Sequence, residues 1–85
     1  MTKKIVETKN ELDIRFKLSE RIFKLRQNMG WSTYQLGDKI NITSQAINQI
    51  ENNRHYPSLR VLIRLADIFE ISMKELFDFN ERIQE

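Results

Sequence analysis

Apolar residues recur along this 85-residue chain at the three- and four-residue spacing that is typical of α-helices. The first stripe consists of Leu18, Ile22, Leu25 and Met29. It ends at Gly30, a residue type that often terminates a helix. The start is ambiguous, because residues 12–18 alternate apolar and polar side chains, as a half-buried strand would. We expect this helix to begin within residues 11–17, after a flexible or strand-like arm.

A second helix is predicted from the residues that can cap it. Ser32 and Gln35 have the spacing of a capping box, and Trp31 is placed to act as a hydrophobic staple. The helix should then span residues 33–40. Asn41 can end it, because asparagine tolerates the left-handed conformation that a tight turn demands.

A third helix, from about Thr43 to Asn52, has two contrasting faces. Its apolar residues Ala46, Ile47 and Ile50 share an arc of about 100° and should be buried. The opposite arc is polar but carries no charge; it consists of Ser44, Gln45, Asn48, Gln49 and Asn52. Because a solvated helix face normally carries lysine, glutamate and arginine, this uncharged arc indicates a binding surface.

Two more helices complete an all-α prediction of five helices. One follows Pro57, with Ser58 as its cap, and the last opens at a second capping box formed by Ser72 and Glu75. We expect an N-terminal arm or extension over residues 1–12, the helix-turn-helix domain over 13–79 and a C-terminal tail over 80–85. The fourth helix and the region after it carry more apolar residues than one small core needs. We interpret four of them as a dimer interface, with burial under the N-terminal arm as the alternative: Ile63, Ile68, Phe77 and Phe79.

Composition excludes several classes of protein. Without cysteine the chain has no disulfide and no thiolate metal site, and no apolar run reaches the ~18–20 residues of a membrane span. We therefore expect a cytoplasmic protein. The single histidine, His55, has no partner cluster, so we expect no metal, no cofactor and no catalytic residue. No small-molecule substrate is suggested either.

Charge is unevenly distributed along the chain. Residues 1–60 carry 11 Lys/Arg and 6 Asp/Glu, whereas residues 61–85 carry 3 and 6. A basic front with an acidic tail suits a chain that meets a polyanion on one side, although ordinary solubilising charge explains the balance equally well.

Two short helices joined by a tight turn, the second with an uncharged hydrogen-bonding face, predict a helix-turn-helix. The major groove of B-DNA admits one α-helix, and asparagine or glutamine side chains there can bond the N6 and N7 atoms of adenine. The preceding helix crosses the phosphate backbone. We predict base contacts from Ser44, Gln45, Asn48 and Gln49.

Residues 21–77 resemble the lambda-repressor-like, Cro-type (XRE) helix-turn-helix domain. The motifs that carry the resemblance are Arg21-Ile22-Phe23-Lys24-Leu25-Arg26, Gly30-Trp31-Ser32, Gln35-Leu36-Gly37, Ile42-Thr43-Ser44-Gln45-Ala46-Ile47, Asn48-Gln49-Ile50-Glu51, Pro57-Ser58-Leu59, Leu65-Ala66 and Ser72-Met73-Lys74-Glu75-Leu76. This resemblance implies a five-helix domain that binds double-stranded DNA, usually as a homodimeric transcriptional regulator.

The resemblance also implies roles for single residues. Arg26 and Glu51 should form a structural ion pair between the first and third helices, and Gly37 should allow two helices to cross closely. Asn41 and Asn53 stand where glycine is common, and both tolerate positive φ. Thr33 replaces the glutamine that commonly binds phosphate in the family. The expected phosphate contacts are Thr33, Thr43, Asn52, Asn53, Arg54 and His55.

We therefore expect a homodimeric transcriptional regulator that binds a palindromic operator, either a repressor or a restriction–modification controller. The alternative is a protein-interaction module on the same scaffold, such as an antitoxin or an anti-repressor partner, that uses the apolar C-terminal surface. An enzyme is disfavoured, because the sequence contains no nucleophile with a base, no metal cluster and no phosphate-binding loop.

Overall fold

A computed structural model describes residues 6–80, and these fold into five helices without a strand. The helices are α1 (Lys9–Met29), α2 (Thr33–Ile40), α3 (Ser44–Glu51), α4 (Leu59–Phe69) and α5 (Met73–Leu76). The all-α, five-helix prediction is confirmed. Within the described residues, no helix combines the length and the apolarity needed to cross a membrane.

α1 begins at Lys9, two residues before the earliest start that we expected. Its N-cap is Thr8, whose side chain accepts a hydrogen bond from the backbone N–H of Glu11, while the Glu11 carboxylate accepts one from the N–H of Thr8. This capping box makes the apolar–polar alternation after residue 11 part of a helix and not of a strand. Residues 9–12 of the predicted arm or extension are therefore the first residues of α1. Residues 1–5 of the predicted arm and 81–85 of the predicted tail lie outside the described residues.

The other predicted helix starts are confirmed. Ser32, Thr43, Ser58 and Ser72 each accept a hydrogen bond from the backbone N–H three residues on, which satisfies one of the free donors at a helix N-terminus. The predicted ends are confirmed as well, since Gly30 (φ 73°) and Asn41 (φ 63°) both adopt the left-handed conformation.

Each helix contributes apolar residues to one core. The buried set is Leu18 and Ile22 of α1, Leu36 and Ile40 of α2, Ile47 and Ile50 of α3, Leu62, Leu65, Ala66 and Phe69 of α4, and Leu76 of α5. Since α3 buries Ile47 completely and Ile50 almost completely, its opposite arc must face outward. The core therefore determines which face of α3 is available for binding.

Gly37 lies within α2 and packs closely against the segment that leads into α3. A Cβ atom placed on this residue would lie 2.5 Å from the carbonyl oxygen of Ile42. The Gly37 carbonyl also accepts a hydrogen bond from the Ile42 N–H at 2.9 Å. Glycine thus lets the two chain segments approach within hydrogen-bonding distance, and this contact fixes how α3 leaves the turn.

Candidate nucleic-acid interface

The outward arc of α3 presents the side chains that we expected to read bases. Gln45 and Asn48 are exposed, and Ser44 and Gln49 are half-buried at the sides of the arc. None of these four side chains forms a hydrogen bond with another residue in the 6–80 range. Their donors and acceptors are consequently available to a ligand.

A nearly buried ion pair ties the end of α3 to α1. Arg26 donates from Nε to Glu51 Oε2 at 2.7 Å and from Nη2 to Glu51 Oε1 at 2.9 Å. Its Nη1 donates to the carbonyl oxygen of Trp31 at 2.7 Å. The hydrogen bonds to Glu51 outweigh the effect of burial and raise the pKa of Arg26 above its ordinary value. This bidentate geometry fixes the direction of α3 as well as its distance from α1.

Aromatic residues cover that ion pair and the start of α2. The guanidinium of Arg26 lies 5.4 Å from the centre of the Phe23 ring, in the range of a cation–π contact. Trp31 stacks on Phe69 with ring centres 5.8 Å apart, and the Lys39 ammonium lies 4.7 Å from the Trp31 ring. Trp31 therefore has a packing role at the edge of the core.

The N-termini of α2, α3 and α4 share an electrostatic property. None of these helices has an acidic residue in its first turn, whereas α1 has Glu11 and α5 has Glu75 there. Neutral hydroxyl side chains cap all three, so the positive ends of their helix dipoles stay uncompensated. Such N-termini favour anions such as phosphate. Two of the expected phosphate contacts lie at these positions: Thr33 is the first residue of α2, and Thr43 is the N-cap of α3.

The remaining expected phosphate contacts lie where the chain leaves α3. Asn52, Arg54 and His55 are exposed, and Arg54 is held through its backbone N–H to the carbonyl oxygen of Gln49 at 3.0 Å. Asn53 has a φ of 61°, which confirms the positive value expected at this position. Its Oδ1 accepts a hydrogen bond from Arg15 Nε at 3.1 Å. Asn53 is therefore partly engaged by the protein itself, which the sequence did not predict.

A groove contains members of both sets of candidate contacts. It has a volume of about 460 Å³ and lies between α3 and the start of α4. Its polar lining comprises Thr43, Gln45, Gln49, His55, Tyr56 and Ser58. Two base-reading candidates, Gln45 and Gln49, and two phosphate-binding candidates, Thr43 and His55, thus line the same groove.

The four residues predicted for a dimer interface do not form one exposed patch. Ile63 and Phe77 are exposed, but Ile68 and Phe79 are partly buried and pack against the core. Ile63 and Ile68 lie about 140° apart around α4, because five residues at ~100° each separate them. Leu59 shares the flank of Ile63 and is 66% exposed. The apolar surface of α4 that solvent reaches is therefore the Leu59/Ile63 flank.

One residue at this surface was missed by the sequence reasoning, and it lies on α1. Arg15 contacts both Asn53 and the Tyr56 ring, and the Tyr56 hydroxyl donates to the carbonyl oxygen of Glu11. Loss of solvent around the Tyr56 phenol, followed by the nearby Glu7 and Glu11 carboxylates, raises the pKa of Tyr56. No local sequence signal marks these contacts, because 38 residues separate Arg15 from Asn53.

The fold and the outward face of α3 together define a helix-turn-helix DNA-binding domain. In agreement, the family model described as helix-turn-helix matches residues 22–76. The chain belongs to this XRE-type helix-turn-helix family. Among residues 6–80, no group of three or more histidine, cysteine, aspartate or glutamate residues is placed to hold a metal ion.

Two curated proteins from distant organisms are similar to this chain. One is described as the uncharacterized HTH-type transcriptional regulator YgzD of Bacillus subtilis (strain 168); it is 27% identical over 64 residues, covering 75% of this chain and 97% of the relative. The other is described as an uncharacterized HTH-type transcriptional regulator of Archaeoglobus fulgidus and is 28% identical over 61 residues, covering 72% of this chain and 87% of the relative. With the family match, these relatives support a DNA-binding transcriptional regulator.

Proposed function

We propose that this chain controls transcription by binding a palindromic operator as a homodimer, with the outward arc of α3 reading the base pairs. The observation that carries the proposal is that arc itself. It is uncharged, turned outward by the burial of Ile47 and Ile50, and oriented by the Arg26–Glu51 ion pair. Asn48, Gln45 and Gln49 can each bond an adenine edge through two groups, so adenine-containing half-sites are expected.

Affinity and specificity are assigned to different residues. Thr33, Thr43 and the exposed residues after α3 would hold phosphates, whereas Ser44, Gln45, Asn48 and Gln49 would distinguish bases. Phosphate contacts release counterions, so binding should weaken steeply as salt is added. Base contacts should instead change which sequences are preferred. A regulator that binds DNA in this way needs no cofactor and no catalytic residue. It would act in the compartment that holds the DNA, which is the cytoplasm in a prokaryote.

Dimerisation is proposed because one short helix reads only a few base pairs. A two-fold pair of domains doubles the sequence that is read and matches an operator with half-site centres ~34 Å apart. The exposed apolar flank of α4, at Leu59 and Ile63, and the exposed ring of Phe77 offer surface for this pairing. Ile68 and Phe79 would support the interface from the core.

Selection of bound duplexes from a random library tests the proposal. Wild-type protein should enrich two inverted half-sites with centres about 10 base pairs apart. A variant with alanine at Gln45, Asn48 and Gln49 serves as the control, since it keeps the phosphate contacts and should retain binding without enriching a sequence. Enrichment of no sequence by the wild-type chain would contradict the proposal. Enrichment of one unrepeated half-site would contradict the homodimer.

A second candidate function uses the same scaffold to bind a protein, as an antitoxin or an anti-repressor partner would. The exposed apolar side chains Leu59, Ile63 and Phe77 favour it, because an exposed apolar patch can serve a partner as well as a second copy. This candidate predicts that Ile63→Lys abolishes partner binding and leaves the DNA affinity per monomer unchanged. The homodimer predicts instead that Ile63→Lys lowers affinity for the palindrome.

Whether the regulator represses transcription or acts as a restriction–modification controller depends on where its operator lies relative to a promoter. A reporter driven by a promoter that overlaps the selected site should lose expression when the protein is present, if the protein is a repressor. Increased expression would show instead that the protein activates transcription from this promoter.

A further inference from the structure

The N-terminal part of α1 lies outside the region that matches the family. The match begins at residue 22, whereas α1 begins at Lys9. Residues 9–21 also extend α1 back toward the loop that follows α3. Because that loop carries the proposed phosphate contacts Arg54 and His55, anything that holds it in place affects DNA binding.

Arg15 is the centre of the contact between this extension and the loop. Its Nε donates to Asn53 Oδ1 at 3.1 Å, and its guanidinium carbon lies 5.6 Å from the centre of the Tyr56 ring. On the other side, its Nη1 is bonded to both carboxylate oxygens of Glu7, at 3.0 and 2.8 Å. The Arg15 side chain is 20% exposed, so it is more enclosed than a surface cation. One side chain thus connects the segment before α1 with two residues of the loop.

A second hydrogen bond, which does not involve Arg15, also connects the loop to α1. The Tyr56 hydroxyl donates to the carbonyl oxygen of Glu11, a residue in the first turn of α1. That carbonyl lies one turn before Arg15 on the same helix. Together the two contacts hold the loop at both of its ends, at Asn53 through Arg15 and at Tyr56 through Glu11.

We propose that Arg15 is a positioning residue for DNA binding, which holds residues 53–56 in the conformation that meets phosphate. This proposal rests on the proposed function of that loop. Glu7 has a defined part in it: by neutralising the guanidinium, it makes Arg15 a structural cation and not a further phosphate contact. The N-terminal extension of α1 therefore acts on DNA affinity through the loop and without touching the DNA.

This role has a different signature from that of a phosphate contact. Removing a residue that contacts phosphate lowers the dependence of log affinity on log salt by about one unit. Removing a positioning residue makes the loop more mobile, and affinity falls because binding must then order the loop. The number of phosphates contacted stays the same. Arg15→Ala should therefore weaken binding to a mixed-sequence duplex about fivefold to tenfold with an unchanged salt slope.

Lys17→Ala is the matched control. Lys17 lies on the same helix, carries the same charge and is also paired, with Asp13 at 3.2 Å, but it forms no ion pair or cation–π contact with residues 53–56. Both variants are made in the full chain, and their folding is checked by circular dichroism at the temperature of the assay. Fluorescence anisotropy with a mixed-sequence duplex at several salt concentrations gives the affinity and the slope. The control should match the wild type in both.

Hydrogen exchange of the free protein tests the coupling without DNA. The amide of Arg54 is bonded to the Gln49 carbonyl, and in Arg15→Ala it should exchange about tenfold faster, whereas amides in the core of α4 should not change. Arg15→Lys adds a test of geometry, because it keeps the charge and lacks the Nε donor. It should fail to restore the wild-type exchange rate.

Several results would overturn the proposal. A salt slope that falls by about one unit in Arg15→Ala would make Arg15 a phosphate contact. Unchanged Arg54 exchange would show that the loop does not depend on Arg15, and faster exchange with unchanged affinity would separate the loop from DNA binding. If Arg15→Lys fully restored the wild-type exchange rate, the positive charge alone would account for the effect and the Nε hydrogen bond would have no role. A wild-type chain that binds no duplex refutes the proposed function instead, and the exchange experiment still tests the coupling by itself.

Discussion

Replacement of Arg26 by methionine tests how α3 is held. The substitution keeps most of the apolar side-chain volume and removes three charge-assisted hydrogen bonds, two to Glu51 and one to the Trp31 carbonyl. It also leaves the Glu51 carboxylate without its cation. Glu51 has a side chain only 7% exposed, so water cannot replace the lost partner fully.

The magnitude follows from that burial. Removal of one member of a buried ion pair typically costs ~3–5 kcal/mol. A domain of this size has a total free energy of unfolding of about 5–15 kcal/mol, so the loss is a large fraction of its stability. In a 60–100-residue domain each kcal/mol lowers the melting temperature by roughly 4–8 °C, so Arg26→Met should lower it by more than about 12 °C.

Urea unfolding followed by circular dichroism measures this loss. Fluorescence of Trp31, the single tryptophan, is a second probe. The raised pKa of Arg26 means that its contribution is present below the unfolded-state pKa and is lost only as pH rises through the folded-state pKa. The difference between wild type and variant should therefore stay constant from about pH 7 to about pH 10.

A double variant separates the ion pair from the packing around it. Arg26→Met combined with Glu51→Leu removes both charges, so no isolated carboxylate remains buried. It should be more stable than Arg26→Met alone, with a coupling energy of at least about 1 kcal/mol. A loss below about 1 kcal/mol in Arg26→Met, or strict additivity in the double variant, would refute the conclusion that this pair fixes α3.

Three further substitutions test other parts of the structure. Gly37→Ala places a methyl group 2.5 Å from the backbone oxygen of Ile42, so it should destabilise the fold by about 1–3 kcal/mol in urea unfolding; a neutral effect would show that the turn can widen. Glu70 ends α4 with a φ of 59°, a conformation that costs a non-glycine residue roughly 1–2 kcal/mol. Glu70→Gly should therefore raise the melting temperature, and a decrease would show that the backbone of Glu70 is not strained. Arg54→Ala should weaken binding to every duplex and lower the salt slope by about one unit in an anisotropy titration, whereas an unchanged slope would remove Arg54 from the phosphate contacts.

Local sequence signals predicted most helix boundaries. The capping boxes at Ser32 and Ser72 and the glycine at position 30 act within a few residues, so the sequence alone contains the information. The same kind of signal is present at Thr8 and Glu11, where the alternation of apolar and polar residues concealed it. The contrast between the two faces of α3 was equally visible, because periodicity fixes which residues share a face.

Contacts between distant parts of the chain could not be predicted in this way. Periodicity shows that the apolar residues Ile63 and Ile68 lie on different sides of α4, but only packing against the core decides that the first is exposed and the second partly buried. The contact of Arg15 with Asn53 depends on how α1 crosses the end of α3, which no local pattern encodes. The left-handed conformation of Glu70 is another example, since glutamate carries no signal for positive φ.

The central claim is that the outward arc of α3 reads base pairs, and Gln49→Ala tests it most directly. The measurement is the affinity of wild type and variant for the selected operator and for a set of duplexes in which each base pair of one half-site is changed in turn. The claim predicts that the variant loses discrimination at one base pair, by about 1–3 kcal/mol, with an unchanged salt slope. A uniform loss of affinity across all the duplexes, with every base preference retained, would contradict it.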